Sequence, residues 1–213
     1  MCEQKYLEEL VNRYPKLEAV QSDIQKAYKI LEKSYENGKK LLVAGNGGSC
    51  ADAEHIVGEL MKGFVKKRPV NEMLKKKLEA QDPVLGAELS KKLQGSLPAI
   101  ALTGHPGLTT AFLNDVDGGI AFAQQLCGFG NAGDVFLGIS TSGNSKNILY
   151  ASCAARAKNI SVIGLLGRDG GEMKRFCDAA IIVPETETYK IQELHLPIYH
   201  TLCLMLEEHF FAL

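Results

Sequence analysis

Two side chains in the stretch KLLVAGNGGSCADAEHIVGELMK, at 40–62, have the types and spacing needed for acid–base or metal chemistry. His55 and Glu59 are four residues apart, so the helical pattern around them places both on one face, one turn apart. A histidine and a carboxylate in that arrangement can share a metal ion or a substrate. Such a pair is more often a solvated surface pair. The chemical interpretation is favoured because a glycine-rich turn precedes the same helix.

Two glycine- and serine-rich turns follow predicted buried strands: GNGGS at 45–49 and STSGNS at 140–145. Small residues let a ligand approach closely, and a helix N-terminus behind each turn offers unpaired N–H groups to an anion. The second turn adds hydroxyls and contains no lysine, and neither turn spells GxxxxGK[ST] or GxGxxG, the nucleotide and dinucleotide motifs. One such turn alone would be an ordinary loop. Two at equivalent strand ends predict a phosphate monoester ligand.

A third polar cluster lies in IQELHLPIYH, within the last helical pattern. Gln192, His195 and His200 span about two turns of helix and are predicted to line one wall together. A lone histidine on an apolar helix is, however, more often a core residue than a ligand. Pro197 either kinks the helix or marks a late start of its regular part, which leaves the relative facing of these side chains open.

Composition narrows the class of protein. The chain has 213 residues, of which 46% are hydrophobic and 23% charged, and its net charge is -1. These values are typical of one α/β domain and give no general attraction to nucleic acid. No apolar run is long enough to span a membrane, and the first residues lack a signal-peptide core. Six scattered cysteines without a CxxC are predicted to be buried free thiols, so the expected location is cytoplasmic.

Alternating apolar and helical patterns predict the elements that carry these residues. Residues 1–39 form a helical region with a break at Pro15, whose apolar stripe packs on the domain's own sheet or, as we favour, on another subunit. Residues 66–97 form a lysine-rich helical insertion with a solvated face. Five short apolar runs separated by helices predict a parallel, doubly wound sheet in a three-layer α/β sandwich, 1–213 being a single domain.

The ordered set of motifs GNGGS, HIVGE, Asn114-Asp115, STSGNS and QExH…H resembles the sugar isomerase (SIS) domain superfamily. Within it, the set is most similar to the sedoheptulose-7-phosphate isomerases, also called phosphoheptose isomerases. The resemblance covers nearly the whole chain except the insertion. It implies a five-stranded parallel sheet between helices, a homotetramer, and active sites built where subunits meet.

The resemblance also assigns roles by position. Glu59 matches the catalytic base and His200 the catalytic acid, while His55, Glu59, Gln192 and His200 match the positions that bind zinc. The serines and Thr141 match phosphate-binding positions, and Asn46 and Asn114-Asp115 match positions that line the sugar. The substrate-binding residues that follow are Asn46, Gly47, Gly48, Ser49, Asn114, Asp115, Ser140, Thr141, Ser142, Ser145 and Gln192.

The implied activity is an aldose–ketose isomerisation, sedoheptulose 7-phosphate to D-glycero-D-manno-heptose 7-phosphate, through an enediol. That chemistry needs a carboxylate to move a carbon-bound proton and an acid to serve the neighbouring oxygens, which suits Glu59 and His200. A zinc-bound carboxylate would be a poorer base, so the two roles of Glu59 compete. The family's arginine after this glutamate is absent, and Lys62 offers a point charge instead. The alternative is a regulatory SIS module that binds a sugar phosphate or a protein partner without chemistry.

Overall fold

The computed structural model describes residues 2–211. Residues 1, 212 and 213, which the predicted N-terminal region and last helix include, lie outside the described residues. The strands are β1 (Leu41–Gly45), β2 (Ala99–Ala101), β3 (Val135–Ser140), β4 (Ser161–Leu166) and β5 (Ala179–Ile182). The α-helices are α1 (Cys2–Arg13), α2 (Gln21–Glu36), α3 (Gly48–Met61), α4 (Glu72–Gln81), α5 (Leu85–Lys92), α6 (Pro106–Asp115), α7 (Ala121–Phe129), α8 (Lys146–Ala157) and α9 (Thr188–Phe211).

The five strands form one parallel sheet in the order β2-β1-β3-β4-β5. The chain places β2 on one side of β1 and β3 on the other, so the direction of winding reverses between β1 and β3. Gly45 at the end of β1 is paired with Ile139 in β3, and the loops after these two strands therefore emerge side by side. The predicted parallel, doubly wound α/β sheet is confirmed.

Side chains of each strand alternate between two cores, as the pleat requires. Leu41 and Val43 pack with residues of α1, α2, α3 and α9, whereas Leu42 and Ala44 pack with residues of α7 and α8. The result is a three-layer sandwich. Because α3 and α9 belong to the same layer, the helices that carry the candidate chemical residues are neighbours.

The N-terminal helical region breaks at Pro15, as predicted. Helix α1 ends at Arg13, and Pro15–Val20 form a 3₁₀ helix that leads into α2. The apolar stripe is buried within the protomer, where Leu7 and Leu10 belong to the core beside α9. The expectation that this stripe serves an oligomer interface is therefore wrong for these side chains, because α9 and β5 already cover them.

The insertion is a hairpin of α4 and α5 whose helices pack mainly on each other. Asn71 caps α4 by accepting the Leu74 N–H at 2.8 Å, and Asp82 accepts an N–H from the start of α5. The two stems of the hairpin meet where the Gly63 N–H donates to Gln94 Oε1 at 2.6 Å. The hairpin is thus fixed at its base, next to the end of α3.

Three further expectations concern burial. The prediction of buried free thiols holds for Cys203 but is wrong for Cys127 and Cys153, which are free and exposed. These two lie on α7 and α8, whose outer faces meet solvent. Pro197 lies inside α9, which begins nine residues earlier at Thr188, so it does not mark a late start. Within residues 2–211, no helix has both the length and the apolar composition to cross a bilayer.

Candidate active site

The two glycine- and serine-rich turns lie side by side at the carboxyl ends of β1 and β3. Asn46 of the first turn and Asn147 of α8 exchange two amide hydrogen bonds, at 3.0 and 2.8 Å. This pair links the turn after β1 directly to the helix that follows the turn after β3. The structure therefore brings the predicted phosphate-binding segments together at the switch point of the sheet, where ligands of such folds bind.

The turn after β1 allows the backbone to approach other groups closely. Gly47 precedes α3 with a φ of +55°, a conformation that favours glycine. A Cβ on Gly48 would lie 2.6 Å from Nε2 of Gln192, so the amide of Gln192 rests against the turn. Ser49 is buried in the first turn of α3. The N-terminus of this 14-residue helix faces the space between the two turns.

The turn after β3 is shaped by its own polar side chains. Ser140 Oγ and Ser145 Oγ lie 3.0 Å apart, and Ser142 Oγ accepts the Asn144 N–H at 3.2 Å. Gly143 has a φ of +65°, and a Cβ there would lie 2.0 Å from the carbonyl oxygen of Gly170. The loop is therefore closely packed from behind, which leaves its hydroxyls, including that of the half-buried Thr141, at the front.

The chemical residues lie farther along α3 and α9. The two helices run parallel, since Gln192 contacts Gly48 and, later in both, Tyr199 contacts His55. His55 Nε2 lies 3.2 Å from Glu59 Oε1, and Lys62 Nζ lies 2.9 Å from Glu59 Oε2. The predicted one-turn pairing of His55 and Glu59 is thus present. Lys62 supplies the point charge expected in place of the family's arginine.

His200 completes this group on α9. Its ring centroid is 5.0 Å from that of His55 and 5.4 Å from that of Phe64. Its Nε2 is buried and has no hydrogen-bond partner in residues 2–211. Burial, and after it the neighbouring His55, lower the pKa of His200, against the opposing effect of Glu59. His200 also lines a cavity of about 280 Å³ between α1 and α9, with Arg13 on the opposite side.

A hydrogen-bonded chain supports His55 from behind. Tyr199 OH lies 2.9 Å from His55 Nδ1 and donates to Asp52 Oδ1 at 3.2 Å. Burial raises the pKa of Asp52, although its hydrogen bond with Tyr199 and the charge of His55 act against this. Burial also raises the pKa of Tyr199 well above its usual range, so the hydroxyl keeps its proton at neutral pH.

The donor types of the predicted zinc site suit that metal, but one protomer assembles them only in part. His55 Nε2 and Glu59 Oε1 are 3.2 Å apart, close to the roughly 3.3 Å expected between two tetrahedral zinc ligands. Gln192 lies about 12 Å along α9 from His200, with its amide at the turn. Within residues 2–211, no three His, Cys, Asp or Glu side chains are arranged to hold a metal ion.

Two of the predicted sugar-binding residues lie apart from the turns. Asn114 and Asp115 are exposed at the end of α6, and the Asn114 amide donates to the Asp115 carboxylate at 2.7 Å. Neither forms a hydrogen bond to the residues of the two turns in the part of the chain that is described. One protomer therefore does not bring these two residues to the phosphate-binding segments.

His195 does not line the wall predicted for it. Its side chain is completely buried, and its Nε2 donates to the Leu166 carbonyl oxygen at 3.1 Å. Burial lowers the pKa of His195 to about 4, although the hydrogen bond to Leu166 acts in the opposite direction. The inward facing follows from its position on α9, where Ile191 and Ile198 are also buried against the sheet.

We expect His195 to make stability depend on pH. In the unfolded chain its pKa is about 6.5, so between pH 6.5 and 4 the unfolded state binds a proton that the folded state does not. The free energy of unfolding therefore falls as the pH falls through this window. Urea unfolding should show the wild type losing about 2 kcal/mol more than His195→Gln between pH 7 and pH 5. Equal losses in the two proteins would contradict this assignment.

Comparison with known proteins identifies the class that this fold and site define. A family model for the SIS domain matches residues 5–94. The solved phosphoheptose isomerase of Francisella tularensis superposes with a TM-score of 0.75 at 32% identity, covering 96% of both chains. The Neisseria gonorrhoeae enzyme gives 0.74 at 30% identity, again covering 96% of both. The chain is thus a SIS-domain α/β protein.

Curated relatives narrow the class to one family. The phosphoheptose isomerase of Sulfurimonas denitrificans is 40% identical over 189 residues, covering 89% of this chain and 84% of the relative. Phosphoheptose isomerase 2 of Campylobacter jejuni is 43% identical over 180 residues, covering 84% and 77%. The chain belongs to the phosphoheptose isomerase family.

Sequence reasoning missed three residues of this region: Asp52, Asn147 and Tyr199. Asp52 carried a usable signal, since it precedes His55 by three residues and so shares its helix face. Asn147 directly follows the second turn, where a polar side chain at a helix start is informative. Tyr199 had no signal of its own, because only the packing of α9 on α3 brings its hydroxyl to His55.

Proposed function

We propose that the protein is an aldose–ketose isomerase that converts sedoheptulose 7-phosphate to D-glycero-D-manno-heptose 7-phosphate. The observation that carries this proposal is the group of Glu59, His55 and His200 on two parallel helices that also border paired phosphate-type turns. Names of the relatives support the reaction. A binding module without chemistry would need the turns but has no use for a carboxylate and an imidazole held together beside them.

Each residue has a step in the reaction. The carboxylate of Glu59 takes the proton from the carbon next to the carbonyl, and the electron pair left behind forms the enediol. His200, neutral because burial lowers its pKa, hydrogen-bonds the sugar oxygens and moves a proton between them. Glu59 then returns its proton to the neighbouring carbon. Lys62 favours the ionised form of Glu59 between turnovers.

The spacing along α3 supports a site shared between protomers. Ten residues separate Ser49 from Glu59, about 15 Å of helix. The phosphorus of a heptose 7-phosphate lies at most about 10 Å from C2 at about 1.5 Å per bond. Either Glu59 reaches back to its own turn, or the turns of one copy present the sugar to Glu59 and His200 of another. We propose the second arrangement in a homotetramer, which also gives Asn114, Asp115 and Gln192 a partner site.

Zinc binding is proposed at His55 and Glu59, with His200 beside them and Gln192 from the same or a neighbouring copy. When bound, zinc would polarise the sugar carbonyl. Protein purified without chelators should carry about one zinc per chain and lose it in His55→Gln. His209→Gln is the matched control, because His209 also contacts a glutamate, with Nδ1 3.4 Å from Glu32 Oε1. Equal zinc content in all three proteins, by elemental analysis, would exclude this site.

The turn hydroxyls are proposed to bind the phosphate, and Ser145 tests this. Ser145→Ala removes one hydroxyl from the Ser140–Ser145 pair without leaving a buried group unsatisfied elsewhere. A hydrogen bond to a charged group contributes about 1.5–3 kcal/mol, so KM should rise at least about tenfold while kcat changes little. Ser152→Ala on α8, where the hydroxyl donates to Ile148 O, is the control and should leave KM unchanged. An unaltered KM in Ser145→Ala would oppose the phosphate assignment.

The substrate itself is tested by direct conversion. Purified protein is incubated separately with sedoheptulose 7-phosphate and with five- and six-carbon ketose phosphates, and the aldose products are separated by chromatography. A heptose 7-phosphate formed at a kcat/KM well above that for the shorter sugars supports the proposal. Binding of all the sugars without any product would favour the regulatory module. The cytoplasmic location and a role of residues 66–97 over the sugar site or at an interface remain predictions.

A further inference from the structure

The support behind His55 fixes where that imidazole carries its proton. Tyr199 is buried, and its hydroxyl has two neighbours, Asp52 Oδ1 at 3.2 Å and His55 Nδ1 at 2.9 Å. A hydroxyl has one proton to donate, and a carboxylate can only accept. The proton of Tyr199 therefore goes to Asp52, and the hydroxyl oxygen accepts from His55. A neutral His55 must then be protonated on Nδ1, with a lone pair on Nε2.

That lone pair points at the proposed catalytic base. His55 Nε2 lies 3.2 Å from Glu59 Oε1, and no other carboxylate is recorded against the ring of His55 within residues 2–211 except through Tyr199. With Nε2 unprotonated, His55 cannot donate to the Glu59 carboxylate. It can accept a hydrogen bond from Glu59 once Glu59 is protonated. The opposite tautomer would donate to the carboxylate, stabilise its charge and weaken it as a base.

We propose that Tyr199 and Asp52 are positioning residues that hold His55 protonated on Nδ1, so that Nε2 accepts the hydrogen bond of Glu59 while Glu59 carries the substrate proton. The proton leaves the sugar carbon for the carboxylate and returns to the adjacent carbon, and the electron pair passes through the enediol. His55 gains and loses no proton. The kinetic part of this inference rests on the proposed isomerase function, whereas the tautomer rests on geometry alone.

The tautomer is read directly by NMR. The protein has five histidines, so [¹⁵N]histidine labelling gives a simple spectrum, and His55→Gln assigns the signals of His55. At about pH 8, above the usual histidine pKa of about 6.5, the wild type should show His55 protonated on Nδ1. In Asp52→Ala the freed hydroxyl of Tyr199 donates to Nδ1, and the proton should move to Nε2. Protonation of Nε2 in the wild type, or no change in Asp52→Ala, would overturn the proposal.

The kinetic consequence is measured separately. Tyr199→Phe should lower kcat about 10- to 100-fold with little change in KM, the usual cost of losing a group that orients a site histidine. Tyr28→Phe is the matched control, because Tyr28 is also buried and its hydroxyl donates to a carboxylate, Glu32, at 2.6 Å. Both variants should lower Tm similarly, but Tyr28→Phe should keep its kcat. An undiminished kcat in Tyr199→Phe would refute the role.

The two measurements separate the failure of this inference from failure of the proposed function. A wild type that forms no aldose from any sugar phosphate, yet shows the Nδ1 proton and its shift in Asp52→Ala, would keep the tautomer and remove the isomerase. An active wild type whose His55 is protonated on Nε2 would keep the isomerase and remove the positioning role of Tyr199 and Asp52.

Discussion

Glu59→Gln should lower kcat for sugar-phosphate isomerisation by about 10²–10⁴-fold, the usual contribution of a general base. The substitution keeps the shape of the side chain but cannot take up the carbon-bound proton. The fold should be retained, because the only contacts of this carboxylate are with His55 and Lys62, both partly exposed. KM should change much less than kcat, since the proposed phosphate contacts lie at the turns.

Glu32→Gln is a close control for this experiment. Glu32 and Glu59 have nearly equal side-chain exposure, 13% and 12%, and each pairs with a lysine three residues away, at 3.0 and 2.9 Å. Each also faces a histidine. Glu32 lies on α2, away from the turns, so its substitution should leave kcat unchanged. Near-normal turnover in Glu59→Gln, measured with sedoheptulose 7-phosphate, would remove Glu59 from the mechanism.

The second large effect is expected at a buried ion pair that anchors the end of α3. Arg68 and Glu207 are both inaccessible to solvent, with Arg68 Nε 2.7 Å from Glu207 Oε1. Arg68 also donates to the carbonyl oxygen of Leu60 at 2.8 Å, and Glu207 accepts the backbone N–H of Phe64 at 2.8 Å. Burial alone would raise the pKa of Glu207, but hydrogen bonds from backbone N–H groups and from Arg68 hold it below its usual value.

Glu207→Gln should lower the free energy of unfolding by about 3–5 kcal/mol, because it leaves the Arg68 guanidinium buried and unpaired. Arg68→Met should cost a similar amount by leaving the carboxylate unpaired. The double variant should be less destabilised than the sum, since neither charge is then buried and the glutamine oxygen still accepts backbone N–H groups. Urea unfolding of the four proteins gives this double-mutant cycle.

A surface pair gives the scale for comparison. Glu88 and Lys92 of α5 form an exposed ion pair four residues apart, so Glu88→Gln should change stability by less than about 1 kcal/mol. If Glu207→Gln were as mild as Glu88→Gln, the buried pair would not anchor α3. Strictly additive effects of Arg68→Met and Glu207→Gln would likewise show that the two side chains do not depend on each other.

The parts of the fold that are local in sequence could be predicted from it. The apolar run at Leu41–Gly45, the glycines after it and the helical spacing of Ala53, Ile56 and Leu60 define a strand, a turn and a helix without any partner. Repetition of that unit gave the parallel sheet. The pairing of His55 with Glu59 also followed from spacing alone, because residues four apart on a helix must be neighbours.

Contacts between distant segments could not be predicted in the same way. His55 and Tyr199 are 144 residues apart, and Arg68 and Glu207 are 139 apart, so only the parallel packing of α9 on α3 brings them together. The inward facing of His195 has the same origin, because periodicity in a largely apolar helix does not tell which face meets the sheet. The position of Asn114 and Asp115 relative to the turns depends on how copies of the chain assemble.

The most direct test of the proposed chemistry is isomerisation in deuterated water. Wild-type protein is incubated with sedoheptulose 7-phosphate, and the sugar is followed by NMR, with Glu59→Gln in parallel. We predict that deuterium appears on the carbon next to the carbonyl as the aldose forms, and that Glu59→Gln abolishes both. Aldose formed without any deuterium uptake in the wild type, or exchange that persists at the wild-type rate in Glu59→Gln, would contradict an enediol route through Glu59.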